Sequence, residues 1–77
     1  MIKVLFFSYL RDKIGLPSVD IEKDKATIKE IKDYIKNNYN IESFEDIMTA
    51  VNKHYVSDEK LVVSGDTVAF ITPVAGG

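Results

Sequence analysis

Hydrophobic positions fall in short blocks, and their spacing changes along the chain. Ile2 to Phe7 is a run of β-branched, aliphatic and aromatic residues interrupted only by Lys3, which predicts a strand. Ser8 to Ile14 has room for a short helical turn that stops at Gly15, ahead of the Leu16-Pro17 turn. Val19 and Ile21 alternate with Asp20 and Glu22, the period-two pattern of a half-buried strand. Thr27-Ile28-Lys29-Glu30 is a capping-box signature, with a hydroxyl for the first-turn amides and a carboxylate three residues on. The helix it opens carries Ile28, Ile31 and Ile35 on one stripe and Lys29, Lys32 and Lys36 elsewhere, and is expected to fray at Asn37-Asn38. Met48 to Val51 and Tyr55 to Val56 flank Asn52-Lys53-His54 as a hairpin. Ser64-Gly65-Asp66 is a turn, and Thr67 to Thr72 is the last strand. The stretches on either side of the hairpin read as loops.

Two strands, one capped helix, a hairpin and a final strand is the order of an α+β, β-grasp (ubiquitin-like) fold: a mixed sheet with one main helix across one face. The first and last strands are the most apolar and belong in the centre as parallel neighbours. Ile2, Val4, Phe6, Val68 and Phe70 then face the helix. Of the residues pointing the other way, Lys3 is polar but Leu5, Phe7, Ala69 and Ile71 are apolar. A sheet with a helix on one face normally presents a mostly polar second face. The departure predicts an exposed apolar patch, which usually marks a partner site. Loops lying over that face, or central strands that are simply apolar, are the plainer explanations.

Composition narrows the classes. The 77 residues suit one domain, and a chain this short buries only about 60% of its unfolded surface, so stability is marginal. A hydrophobic content of 45% supports a core, and a net charge of −2 lacks the basic excess of a nucleic-acid binder. There are no cysteines, which removes disulfides, thiolate metal sites and a Cys nucleophile and fits a reducing cytoplasm. The first residues read straight into a strand without a signal-peptide core, and no apolar run approaches the ~20 residues of a membrane span. Residues 1–73 are expected to form the domain and 74–77 a flexible tail.

No catalytic or metal-binding constellation emerges. His54 is the single histidine and falls in a predicted turn, where a solvated surface residue is the ordinary case. Glu42, Glu45 and Asp46 cluster without the glycine and regular aspartate spacing of a calcium loop. Gly65 has no glycine-rich partners for a phosphate loop. Ser8, Ser18, Ser43, Ser57 and Ser64 have no adjacent base, and nothing marks Lys3 as a buried catalytic lysine. What remains is the end of the sequence. Thr67 to Gly77 holds no charged side chain, and Pro73, unable to donate a ladder hydrogen bond, should stop the strand. Val74, Ala75, Gly76 and Gly77 then form a narrow uncharged tail. Two glycines without a Cβ would let the backbone pass a constriction and leave the terminal carboxylate open to attack. Chance produces such a pair in roughly one chain in two hundred.

With these residues in view the sequence resembles a known family. Met1-Ile2-Lys3-Val4-Leu5-Phe6-Phe7, Ala50-Val51-Asn52, Gly65-Asp66-Thr67-Val68-Ala69-Phe70 and Pro73-Val74-Ala75-Gly76-Gly77 look like the small, sulfur-carrying subunit of molybdopterin synthase. It departs in having Thr72 before Pro73 where the family often has a second proline, and Ala75 where Ser or Thr is frequent. The resemblance implies a carrier that is not itself an enzyme and holds no cofactor tightly or metal. An E1-like activating enzyme uses ATP to adenylate the Gly77 carboxylate, and a sulfur donor converts it to a thiocarboxylate. The loaded tail then enters a large catalytic subunit, within a heterotetramer, and passes sulfur to a pterin precursor of molybdenum cofactor. By the same resemblance Phe7, Tyr55 and Ile71 form the hydrophobic contact with both partners. A carrier for another pathway such as thiamine biosynthesis, a protein modifier joined through Gly77, and an interaction domain with an inert tail stay open.

Overall fold

Among the described residues, nine elements follow one another: β1 (Ile2–Phe6), α1 (Ser8–Ile14), β2 (Ser18–Ile21), β3 (Lys25–Thr27), α2 (Ile28–Tyr39), β4 (Met48–Val51), β5 (His54–Tyr55), β6 (Leu61–Val63) and β7 (Thr67–Ile71). They come from a computed structural model, in which residues 1–41, 44 and 47–71 are described. The main sheet has the strand order β2-β1-β7-β4-β5, and β3 pairs with β6 in a separate ribbon. β1 runs parallel to β7, with Val4 opposite Val68 and Phe6 opposite Phe70, while β1–β2, β4–β7 and β4–β5 are antiparallel. The two most apolar strands are thus the parallel neighbours expected from the sequence.

Alternation divides each central strand between two faces. Ile2, Val4, Phe6, Val68 and Phe70 are buried and join Ile28, Ile31 and Ile35 of α2 in one core. The Phe6 and Phe70 rings lie nearly parallel, their centroids 6.4 Å apart, and Phe44 tilts against Phe70 at 4.9 Å. In β4, Thr49 faces the core side, and its hydroxyl has no hydrogen-bond partner among the described residues.

The capping box forms as predicted. Glu30 N–H donates to Thr27 Oγ1 at 3.2 Å, and Thr27 N–H donates to Glu30 Oε1 at 2.8 Å. The second bond favours the charged carboxylate and holds the Glu30 pKa below its ordinary value. α1 ends as its glycine suggests: Gly15 takes φ 85° and its N–H donates to Arg11 C=O at 2.8 Å.

Several local expectations differ; β1, expected to run to Phe7, ends at Phe6, and Phe7 takes the N-cap position of α1. α2 does not stop at Asn37-Asn38; it continues to Tyr39 and is closed by Asn40 in the left-handed region at φ 58°. Packing of Ile35 and Tyr39 on the core outweighs the weak helix preference of two asparagines. The hairpin turn is two residues, Asn52-Lys53, so His54 opens β5 and Val56 lies beyond it. The segment containing Leu61 to Val63 is a strand where a loop was expected, because Ala26 and Val62 find each other across the β3–β6 ribbon and both are buried. Thr72, expected to finish the last strand, lies outside the described residues, as does the boundary at 73 and 74.

The division of faces predicts unequal costs for neighbouring phenylalanines. Phe6 is 1% exposed and Phe7 is 41% exposed. Phe6→Ala should destabilise the free domain by ~3–5 kcal/mol, a large part of what a small core supplies, and Phe7→Ala by much less. Thermal or denaturant unfolding of the two variants measures the difference; equal losses would mean that the faces are assigned wrongly.

Candidate functional site

The face away from α2 is a groove because of what sits in its middle. Register aligns Leu5, Ala69, Ala50 and Tyr55 in one row across β1, β7, β4 and β5. Two alanines form the floor, and the larger side chains at either end form the walls. Ile71 lies opposite Met48 in the next row, and Phe7 follows β1 at the same end. The resulting concavity, about 640 Å³, is lined by Leu5, Phe7, Ala50, Tyr55, Ala69 and Ile71, with Asn52, Lys53 and Thr67 at its polar end. Tyr55 is 64% exposed and Met48 44%, so the apolar surface is open to solvent.

The polar end is tied together by side chains. Asn52 Nδ2 donates to Asp66 Oδ1 at 3.1 Å, and Thr67 N–H donates to Asn52 Oδ1 at 3.0 Å. Val63 N–H donates to the other Asp66 oxygen at 2.9 Å. The Val63 amide first, and Asn52 second, hold the Asp66 pKa below the ordinary aspartate value, because both bonds favour the carboxylate.

The structure brings Phe7, Tyr55 and Ile71 onto this one groove. Strand alternation pointed to Leu5, Phe7, Ala69 and Ile71, whereas Ala50, Asn52, Lys53 and Thr67 were read as motif or turn residues and not as part of the patch. The period-two pattern through Met48, Ala50 and Asn52 would have placed the first two; the part played by Asn52 depends on which turn lies beside it. Val74, Ala75, Gly76 and Gly77 lie outside the described residues, and so do Glu42, Glu45 and Asp46. His54 is exposed on β5, and Lys3 is exposed on β1. Among the described residues no group of three or more His, Cys, Asp or Glu could hold a metal ion, and no helix is long and apolar enough to cross a membrane. An open apolar groove with one polar end is suited to docking a protein surface.

The chain is similar to known proteins over nearly its whole length. The model of the ThiS family matches residues 4–77. The molybdopterin synthase sulfur carrier subunit of Escherichia coli is 33% identical over 81 residues, covering 100% of both chains. A chain of the Amycolatopsis orientalis BexX/CysO complex superposes with a TM-score of 0.77 at 26% identity and covers 100% of each chain. A chain from the complex of subunits 1 and 2 of the Helicobacter pylori molybdopterin-converting factor gives a TM-score of 0.71 at 20% identity, over 99% of this chain and 97% of that one, a likeness of fold.

The Asp66 bonds predict how stability responds to acid. A carboxylate whose folded pKa is depressed adds stability above its unfolded pKa, and that stability disappears as pH falls through the folded value. Asp66→Asn should therefore lower Tm at neutral pH, and the gap from wild type should narrow as pH falls below about 4. Melting curves across that range measure it; a gap independent of pH would show that the charge contributes nothing.

Proposed function

The chain belongs to the ThiS family, and on that premise we propose that it serves as the sulfur-carrying small subunit of a molybdopterin synthase. The Gly77 carboxylate is the group that carries the sulfur. The chain is a ubiquitin-like sulfur carrier. The pathway is supported by one observation above the others, the end-to-end match to a molybdopterin synthase sulfur carrier subunit at 33% identity.

The chemistry explains why such a chain can lack catalytic side chains. A carboxylate is a poor electrophile. An E1-like enzyme transfers AMP from ATP to the Gly77 carboxylate with loss of pyrophosphate, which makes a good leaving group. Sulfur at the oxidation level of sulfide (HS⁻), released by a sulfur donor, then attacks the acyl carbon; the acyl C–O bond breaks, AMP departs with its electron pair, and loss of the proton leaves a thiocarboxylate. Its sulfur is nucleophilic and is delivered on a tether, which replaces free sulfide by a high local concentration. Acids and bases for these steps come from the partners. Val74, Ala75 and Gly76 form the narrow segment that enters the partner, consistent with their small side chains. Phe7, Tyr55 and Ile71 dock the large subunit and the activating enzyme through the groove described above. ATP belongs to the activating enzyme, and the setting is the cytoplasm.

Two experiments test the proposal. Deleting Gly77, or adding one residue after it, should abolish sulfur transfer in a system supplied with activating enzyme, ATP and sulfur source, while the melting temperature stays native. Mass analysis of the C-terminal peptide from cells should find an oxygen-to-sulfur exchange in the wild-type chain; normal product formation by either variant would sink the carrier role. Docking has its own test. Phe7→Ala should weaken binding to the large subunit by ~2 kcal/mol or more, as loss of a central aromatic anchor does. Ala69→Leu, which fills the groove floor, should weaken binding too. Native affinities for both would move the docking site elsewhere.

A further inference from the structure

One wall of the groove hangs on a very short strand. β5 comprises His54 and Tyr55 and forms the edge of the five-stranded sheet. Two residues of ladder give little hold on a hairpin. The chain enters β5 through Asn52 and Lys53, both at positive φ, 50° and 75°. Both signs suit the tight two-residue turn whose twist matches antiparallel strands, and asparagine tolerates that conformation better than most residues.

Asn52 also bonds beyond its own hairpin. The β4–β7 register, Val51 opposite Val68, puts Asn52 opposite Thr67. Asn52 N–H donates to Thr67 C=O at 2.9 Å, as a regular antiparallel pair requires. The return bond, however, goes to the side chain: Thr67 N–H donates to Asn52 Oδ1. The amide nitrogen of the same side chain donates to Asp66, whose second oxygen is occupied by Val63 N–H. The tip of the β4–β5 hairpin is thereby fastened to the end of β6 and the start of β7.

We propose that Asn52 and Asp66 form a latch that fixes the β4–β5 hairpin and so positions Tyr55 as a wall of the docking groove. Asn52 is a positioning residue for partner binding, and its effect on affinity rests on the docking function proposed above. The latch itself is a property of the free chain.

The test therefore has one arm in the free chain and one in the complex. Asn52→Gly keeps the positive φ accessible and removes both side-chain bonds. Val56 N–H, which donates to Thr49 C=O at 3.0 Å, reports on the hairpin; Phe6 N–H, which donates to Pro17 C=O at 2.9 Å, reports on the far side of the sheet. By amide hydrogen exchange, Val56 should exchange about tenfold faster in Asn52→Gly while Phe6 is unchanged. Affinity for the large subunit should fall by about the same factor. Asn52→Asp sets a second carboxylate against Asp66 and should behave alike. Combining it with Asp66→Asn restores a donor and an acceptor with the charge transposed, and should return Val56 exchange and affinity to within about threefold of wild type. A direct contact of Asn52 with the partner would not be rescued by a change at Asp66. Unchanged Val56 exchange in Asn52→Gly would overturn the latch, as would a double variant with native Phe6 protection and no recovery at Val56. If the wild-type chain fails to bind the large subunit, the docking function falls, and the exchange measurements still decide on the latch.

Discussion

The parallel ladder between β1 and β7 is the constraint from which the rest of the structure follows. Parallel neighbours cannot be joined by a tight turn, so the intervening chain must cross over. It does so through α2, whose isoleucine stripe covers one face of the pair. β2 and β4 then complete the two flanks, each antiparallel to its central neighbour. The ladder also brings Met1 beside the β6–β7 turn: Gly65 N–H donates to Met1 C=O at 3.0 Å, and Lys3 N–H to Asp66 C=O at 3.2 Å. A network that includes the Asp66 backbone, side chain and Asn52 is thus an extension of the central pairing.

Covering one face leaves the other to be explained. Core-facing residues of β1 and β7 are large and tightly packed, as a small domain requires for its stability. The reverse face keeps apolar character but is built from unequal sizes, alanine at the centre and leucine, phenylalanine, tyrosine and isoleucine around it. Apolar surface without a covering element is unfavourable in water, and its burial by a partner returns free energy to binding. The same strands therefore pack the core with one face and leave the other, under the function proposed above, for association. Fold and docking surface can vary separately, since successive residues along a strand point to opposite sides.

The local signals in the sequence were strong where one residue type answers one backbone need. Thr27 and Glu30 marked the start of α2, Gly15 the end of α1, and the alternation in β1 and β7 assigned the two faces. They were weak where packing decides. Asn37 and Asn38 favour a helix end, but burial of Ile35 and the contact of Tyr39 carry α2 past them. Ala26 and Val62 give no strong strand signal alone; each becomes strand by pairing with the other from 36 positions away in sequence.

Legible from the residues alone were the start of the helix and its cap, the buried stripe, the two faces of the central strands, the balanced charge and the narrow uncharged segment ending in Gly76-Gly77. These are consequences of chain-local chemistry: capping, periodicity, and the presence or absence of a Cβ or a charge. Tertiary pairing aligned Leu5, Ala69, Ala50 and Tyr55 into one groove, because register between strands distant in sequence fixes which side chains share a row. It alone placed Asn52 against Asp66. Those residues are 14 positions apart, and no periodicity links them; they meet because two turns fall at the same end of adjacent strands.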